Sequence, residues 1–479
     1  LSEDEIDRAV MDYLGPDRTA SDVEAARAAL EAAYEKKGYP TVSAEIPRQR
    51  MENGVVVIKV VERTVGRLRV KGSRYYALAP IEQGAPSVAE GKVLNMHDVQ
   101  RDIVALNQLP GRSITPVLKA GVAPDTVDVD LNVQDQFPLH GTLELNNRRS
   151  VDTTPLRLLA SLEYDNLWQR GDSATISFQV APENTTDAQV ESGSYLFRIP
   201  DSPLSLLASY VHSDSNVTTV GSTNVVGKGD IAGLRLLVPL GIGDGFIHSL
   251  SVGADYKDIQ EQEEIGQTAS SAPVRYVPLT ATYQASWSGA TSQVNLVSSL
   301  VINPRGLGSS AVAFDNKRFG ANQNFIYVRA SLDWTQSLPR DFQLYENAMV
   351  QMSPDPLISS EQFSLGGLDT LRGYLESEAL GDYGGVLQSE LRTPSLDGVV
   401  GQPLNELRGF VFFDVGAAAI RDPLPEQQQA YTMYSTGIGV RMQMFGYLNT
   451  ELIGAIPLAD GPTTKAGSSQ FLFRIYGAF

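Results

Sequence analysis

Gln470-Phe-Leu-Phe-Arg-Ile-Tyr-Gly-Ala-Phe479 closes the chain with two chemistries in strict alternation. Phe471, Phe473, Ile475, Gly477 and Phe479 fall on one face of a strand, and Leu472, Arg474, Tyr476 and Ala478 fall on the other. An aromatic face backed by one that carries a charge suits a wall between lipid and a wet lumen. The stretch points to an outer-membrane β-barrel.

Working back from that end, the same alternation recurs. In Phe325 to Thr335, Ile326, Val328, Ala330, Leu332 and Trp334 face one way, while Tyr327, Arg329, Ser331, Asp333 and Thr335 face the other. Arg329 and Asp333 would be costly in a dry core, so the second face reads as a polar interior. About sixteen such strands are expected, beginning near His140, Leu156, Ser173, Ser194, Leu204, Asp230, Ile247, Arg275, Gln293, Phe325, Phe342, Gly385, Gly409, Ser435, Leu448 and Gln470. The even-numbered connections read as short turns, among them Pro200–Pro203, Ser337–Asp341 and Phe445–Tyr447. The odd ones read as long loops, among them Ser213–Gly229, Asp258–Val274, Asn303–Asn324 and Ser353–Gly384. No amphipathic helix stands out after His140.

Composition agrees. With 479 residues the chain exceeds one ordinary domain, and at 42% hydrophobic it holds no run long enough for a transmembrane helix. The absence of cysteine fits an envelope protein without disulfides, among other settings. A net charge of −18 argues against a nucleic-acid partner. Leu1-Ser2-Glu3-Asp4 lacks the basic start and apolar core of a secretory signal, and reads as the start of a processed chain.

The first 135 or so residues mix helical and strand periods. Ser2 with Glu5 and Ser21 with Glu24 look like capping boxes opening two helices, followed by strands at Thr41–Ile46 and Val55–Val61. A strand at Val65–Val70, a loosely helical stretch at Ala77–Leu94, a helix at Met96–Gln108 and strands at Ser113–Lys119 and Thr126–Val133 repeat the pattern. Two copies of one small α+β module stand in tandem, 1–63 and 64–138, before a barrel at 139–479. The first copy reads as missing its opening strand, which is expected to lie before Leu1.

The longest loop, 353–384, carries Phe363-Ser-Leu-Gly-Gly-Leu-Asp-Thr-Leu-Arg-Gly-Tyr374. The thirteenth strand carries Phe410-Val-Phe-Phe-Asp-Val-Gly416, with Phe410, Phe412, Asp414 and Gly416 on one face and Val411, Phe413 and Val415 on the other. If the second face meets lipid, Asp414 enters the lumen, where an arginine would stabilise it. Arg372 is the candidate.

At these residues the chain resembles the TpsB transporters of two-partner secretion, within the BamA-like superfamily of outer-membrane barrels. Leu371-Arg-Gly-Tyr374 is similar to the signature that the superfamily carries at the tip of a loop folded into the barrel, and Asp414 to the aspartate that receives its arginine. Gly366-Gly367, Glu390-Leu391, Asp165–Asp172 and Ile46-Pro-Arg-Gln49 also fit.

The resemblance implies two periplasmic POTRA domains, a loop-to-barrel lock of Arg372, Gly373, Tyr374, Asp414 and Gly416, and export of a secreted TpsA-like exoprotein client whose own folding supplies direction. The lock's plainer role is to steady a long loop. The resemblance also implies a plug helix and linker ahead of the first POTRA domain, and neither stands in these residues. Phe479 becomes a signal to the barrel-assembly machinery, with outer-membrane lipid and lipopolysaccharide as the surroundings. A client strand could add to a POTRA sheet edge, at Val65, Leu68, Val70, Ile114, Val117, Val127, Val129 or Leu131. The rival reading is an insertase of the BamA-like type, working at the seam between the first and last strands. A plain porin would leave the modules unexplained.

His97, His140, His212 and His248 have neither metal-ligand nor triad spacing, so no metal, cofactor or catalysis is expected. Arg170-Gly-Asp172, Gly241-Ile-Gly243, Gly437-Ile-Gly439 and the glycosylation-like triplets at Asn184 and Asn216 receive no role.

Overall fold

The computed structural model describes every residue except 52, 53, 201, 216, 221, 222, 227, 244, 261, 266, 267 and 272. The turn expected at Pro200–Pro203 and the loops expected at Ser213–Gly229 and Asp258–Val274 lie partly outside the described residues. The chain divides into two compact units, Leu1–Pro138 with Asp165–Gly171, and Leu139–Tyr164 with Asp172–Phe479.

The first unit holds the two modules. Its opening helix, Glu3–Val10, has the expected Ser2 and Glu5 capping box. The second helix, Ala20–Lys36, is capped by Thr19 and Asp22 rather than by Ser21 and Glu24: the Thr19 amide donates to the Asp22 carboxylate at 2.7 Å. Both pairs have the capping spacing, and the earlier one precedes the first helical residue. Leu30 and Tyr34 pack on Val42 and Ala44 of a two-stranded sheet, Val42–Glu45 against Lys59–Glu62.

In the second module, Thr64–Lys71 runs parallel to Thr126–Asp135, which is also antiparallel to Arg112–Ala120. Val127, Val129 and Leu131 therefore lie in the central strand, not on an edge. The connection is the reason: the helical segment carries the chain to Arg112–Ala120, one place away from Thr64–Lys71, and the hairpin that follows returns the last strand into the gap, parallel to the first. Helix Met96–Leu106 covers the apolar face through Val99 and Leu106, over a core that includes Ile81, Leu94, Ile114 and Val129. On the opposite face Lys119 and then Lys71 hold the Asp130 carboxyl well below the usual carboxylate range.

The second unit is a closed antiparallel barrel. Its strands are Leu139–Asn146, Arg157–Leu167, Asp172–Val180, Ala188–Arg198, Ser205–Ser215, Gly229–Gly243, Phe246–Ile259, Leu279–Ser288, Ser292–Ile302, Ile326–Ser337, Gln343–Met352, Tyr383–Arg392, Leu404–Ala419, Ala430–Met444, Leu448–Pro457 and Gln470–Ala478. Val274–Tyr276 and Leu279–Ser288 pair in succession with Phe246–Ile259 and count as one strand, which makes sixteen. The sixteen starts lie within six residues of those expected.

Alternation sets the two faces as expected. Ile326, Val328, Leu332, Val411, Phe413, Phe471 and Phe479 point out and are exposed. Inside, Arg329 donates to Gln351 at 2.7 Å, and Asp333 accepts from Tyr345 and Asn347 at 2.9 and 2.6 Å.

The barrel closes between its first and last strands through pairs from Thr142–Ala478 to Asn146–Arg474, with reciprocal bonds between Gly141 and Phe479. Beyond them the Asn147 carboxamide takes the place of a strand residue. It donates to the Phe471 carbonyl at 2.7 Å and accepts from the Phe473 amide at 2.8 Å.

One expectation fails in the loop 303–325, which contains helix Ala311–Lys317, and a single helical turn stands at Asp397–Val400. Seven residues make barely two turns, too few for a periodic pattern to emerge. Tertiary packing forms the helix instead: Phe314 sits in a buried apolar cluster with Tyr276, Phe325, Leu357 and Ile358.

Candidate functional site: a loop locked into the lumen

The loop between the eleventh and twelfth strands folds back as a small hairpin, with Phe363–Leu365 paired to Ala379–Gly381. Leu365, Leu371 and Tyr374 pack with Val386, Ala418 and Met433 of the barrel wall. Two glycines make that docking possible. Gly373 turns the tip at φ +93°, and at Gly416 an added Cβ would come within 2.8 Å of Leu365.

Turned this way, the tip delivers Arg372 to the wall. Its Nε and Nη2 donate to Asp414 at 2.8 and 2.6 Å, and its own backbone amide donates to the same carboxylate at 3.1 Å. Nη1 donates to Glu390. The guanidinium carbon lies 3.8 Å from the centroid of the Phe412 ring. Arg372 is 2% exposed and Asp414 0%, so the pair is shielded even though the lumen is polar. The Tyr374 hydroxyl donates to the carbonyls of Tyr434 and Ala459 at 3.0 and 2.8 Å. The five residues read from sequence as a lock thus gather at one place, and Glu390 joins them.

The alternation in Tyr383–Arg392 and Ala430–Met444 put further charges here that the sequence reading left unassigned. Arg441 donates to both oxygens of Glu390 at 2.7 and 3.0 Å, and Arg392 donates at 2.8 Å. Arg441 and Arg392 also stack on Phe410 and Tyr345. Between tip and wall lies a chamber of about 620 Å³, lined among others by Arg372, Glu390, Arg392, Arg441, Glu451 and Arg474.

The stems of the loop are held separately. Buried Glu361 accepts from Lys257, Tyr276 and Tyr327 at 2.6, 2.6 and 2.7 Å. Buried Asp382 accepts from both Nη atoms of Arg318, from the Leu357 and Arg421 amides and from Gln362. Three loops therefore meet at one carboxylate. Nearer the tip, Glu376 accepts from Arg148 at 2.8 Å, and Glu378 accepts from the Thr463 and Thr464 amides at 2.9 and 2.6 Å. No local pattern marks these partners, because each pair joins loops distant in sequence. The loop is held to the lumen wall by a polar, many-point contact and brings together no group of three or more metal-type side chains among the described residues.

The edges expected to receive a client strand are partly used. Asn107 bonds both the amide and the carbonyl of Ile114 at 2.7 and 3.0 Å, and Pro116 removes a donor from the same strand. On the other edge Val65 pairs with Gly91 and Lys92, and Leu68 donates to Glu90 at 3.3 Å. Val70 and Val117 also stand on the outer strands, Thr64–Lys71 and Arg112–Ala120. In the first module, Lys59–Glu62 is paired only with Val42–Glu45 among the described residues.

Residues 125–442 match the family of haemolysin secretion/activation proteins ShlB/FhaC/HecB, and residues 1–63 match the ShlB-type POTRA domain. The heme/hemopexin transporter protein HuxB of Haemophilus influenzae is 21% identical over 396 residues, which is 81% of this chain and 69% of that protein. The outer membrane transporter CdiB of Escherichia coli O6:K15:H31 is 24% identical over 407 residues, 82% of this chain and 66% of that one. Among solved structures, CdiB from Escherichia coli has the same fold at a TM-score of 0.70 and 19% identity, covering 100% of this chain and 88% of its own. BamA from Haemophilus ducreyi lacking POTRA domains 1–3 aligns at a TM-score of 0.59 and 12% identity, covering 100% and 98%.

Proposed function

The chain belongs to the haemolysin secretion/activation protein family ShlB/FhaC/HecB, outer-membrane transporters of two-partner secretion, and on that footing we propose how its parts divide the work. The modules, which lie in the periplasm, capture the secreted exoprotein, and the client then crosses the barrel through its lumen. The second module acts as a second POTRA domain. Arg372, Gly373, Tyr374, Asp414 and Gly416 form the lock that closes the lumen between clients. Phe479 is read by the barrel-assembly machinery before it takes its place beside Gly141, and lipid and lipopolysaccharide surround the finished wall.

The observation that carries this reading is the loop itself. A segment tethered at both stems lies in a wet lumen and is pinned at its tip by charges over a small apolar cluster, an arrangement with two discrete states, tip docked and tip released. One observation favours the rival insertase: the first and last strands pair over only Thr142–Asn146 and then hand over to a side chain, a short run for a barrel seam.

Capture by strand addition has its best remaining edge at Lys59–Glu62, because backbone bonding makes little demand on the client's sequence. A photo-crosslinker at Lys59 of the full-length chain is expected to trap the client, whereas one at Lys119, beside the interrupted edge, is expected to trap far less. Equal capture at both positions, or none at Lys59, would contradict this assignment.

A further inference from the structure

The wall beneath the loop tip forms a receptacle for a guanidinium from side chains of the barrel strands. Asp414 and Phe412 stand on the thirteenth strand and Glu390 on the twelfth, and all three side chains are buried against the lumen face. The Phe412 ring is seated on the neighbouring fourteenth strand at Gly437, where an added Cβ would come within 2.6 Å of it. Every hydrogen bond that Asp414 accepts from a described residue comes from Arg372. Glu390 differs, since Arg392 and Arg441 hold it as well.

Arg372 travels with the loop, whereas the wall does not. When the tip undocks, Asp414 is left without a donor, next to the uncovered face of Phe412 and within reach of Glu390. A forked, planar cation answers all three: two parallel N–H groups for the carboxylate, a flat surface for the ring, and a further N–H for the second carboxylate. An ammonium has neither the fork nor the plane. Nearby cations do not fill the gap, because Arg441 and Arg392 are stacked on Phe410 and Tyr345 and bonded to Glu390.

We propose that this receptacle takes an arginine side chain of the exported client, which competes with Arg372 for Asp414 and so holds the loop tip off the wall while the chain passes. The inference rests on the reading that clients cross through the lumen. The client becomes part of its own gate, and arginine content in its leading segment becomes a determinant of export.

Two measurements on the full-length protein in planar bilayers test this. In Arg372→Ala, millimolar guanidinium ion is expected to return the current toward the wild-type value at a concentration about tenfold lower than methylammonium needs, because forked bonds to a charged partner are worth at least that factor. Arg372→Ala combined with Asp414→Asn is expected to lose the difference between the two ions. In the wild type, which needs no variant to fold, an extended client peptide containing arginine is expected to raise the current, and the same peptide with glutamine in place of arginine is not. Ions that act alike, or act equally on the double variant, would overturn the receptacle. Guanidinium rescue with no response to the arginine peptide would overturn the client's part, and would point at the translocation reading rather than at the site.

Discussion

Arg372→Ala, and separately Asp414→Ala, are expected to give a protein that reaches the outer membrane and folds, but conducts a larger resting current and exports little client. Arg372→Ala leaves Asp414 buried and unpaired, since Asp414 draws its hydrogen bonds from Arg372 alone among the described residues, while Asp414→Ala leaves Arg372 with Glu390, a carboxylate it shares with Arg392 and Arg441. Breaking a buried pair in this way costs about 3–5 kcal/mol. The loop can avoid the cost by undocking, so the balance between docked and free tip shifts by roughly two to four powers of ten. The stems remain tied through Glu361 and Asp382, and the barrel ladder is untouched, which is why assembly should survive. Arg372→Lys should fall between, keeping the charge while losing the fork and the stack on Phe412. Single-channel recording and surface detection of the client check both halves. Secretion at the wild-type rate from both alanine variants would reduce the contact to a brace for a long loop.

Deleting residues 1–136 should have the larger effect on export and the smaller one on the barrel. The strands that close the barrel run from Leu139 to Ala478, and their pairing does not call on the first 136 residues. An inserted, heat-modifiable barrel is therefore expected, with client export at background. The loss follows from affinity: without a sheet edge that offers backbone hydrogen bonds, an extended client must find the lumen at its bulk periplasmic concentration. Persistent export from the deleted protein would remove the modules from the pathway.

The parts of this molecule that local alternation governs were legible in the sequence. Phe471 to Phe479 and Phe410 to Gly416 each announce which side meets lipid, because successive side chains point to opposite faces whatever the neighbours are. The same rule put Asp414 in the lumen and left Arg372, in the longest loop, as its partner. Features set by distant contacts were not legible. Arg318 reaches Asp382 across 64 residues, and Lys257 reaches Glu361 across 104, with nothing at either end of each pair that names the other. Helix Ala311–Lys317 exists because Phe314 has a core to enter, not because its seven residues are periodic. The central place of Val127, Val129 and Leu131 came from a hairpin that returns the last strand beside the first in parallel, which strand alternation does not encode. Choosing Ser21 over Thr19 as the cap shows the same limit at short range, since two boxes of identical spacing overlap there and only the start of the helix decides between them.

The claim that clients cross through the lumen separates most sharply from the insertase reading by where a stalled client touches the barrel. Photo-crosslinkers at Asn347 and Gln388, which line the chamber under the loop, can be compared with crosslinkers at Leu143 and Phe471, which face outward beside the seam. Crosslinks to an arrested client at Asn347 and Gln388, with none at Leu143 or Phe471, are the predicted result. Crosslinks confined to the two seam positions would contradict it.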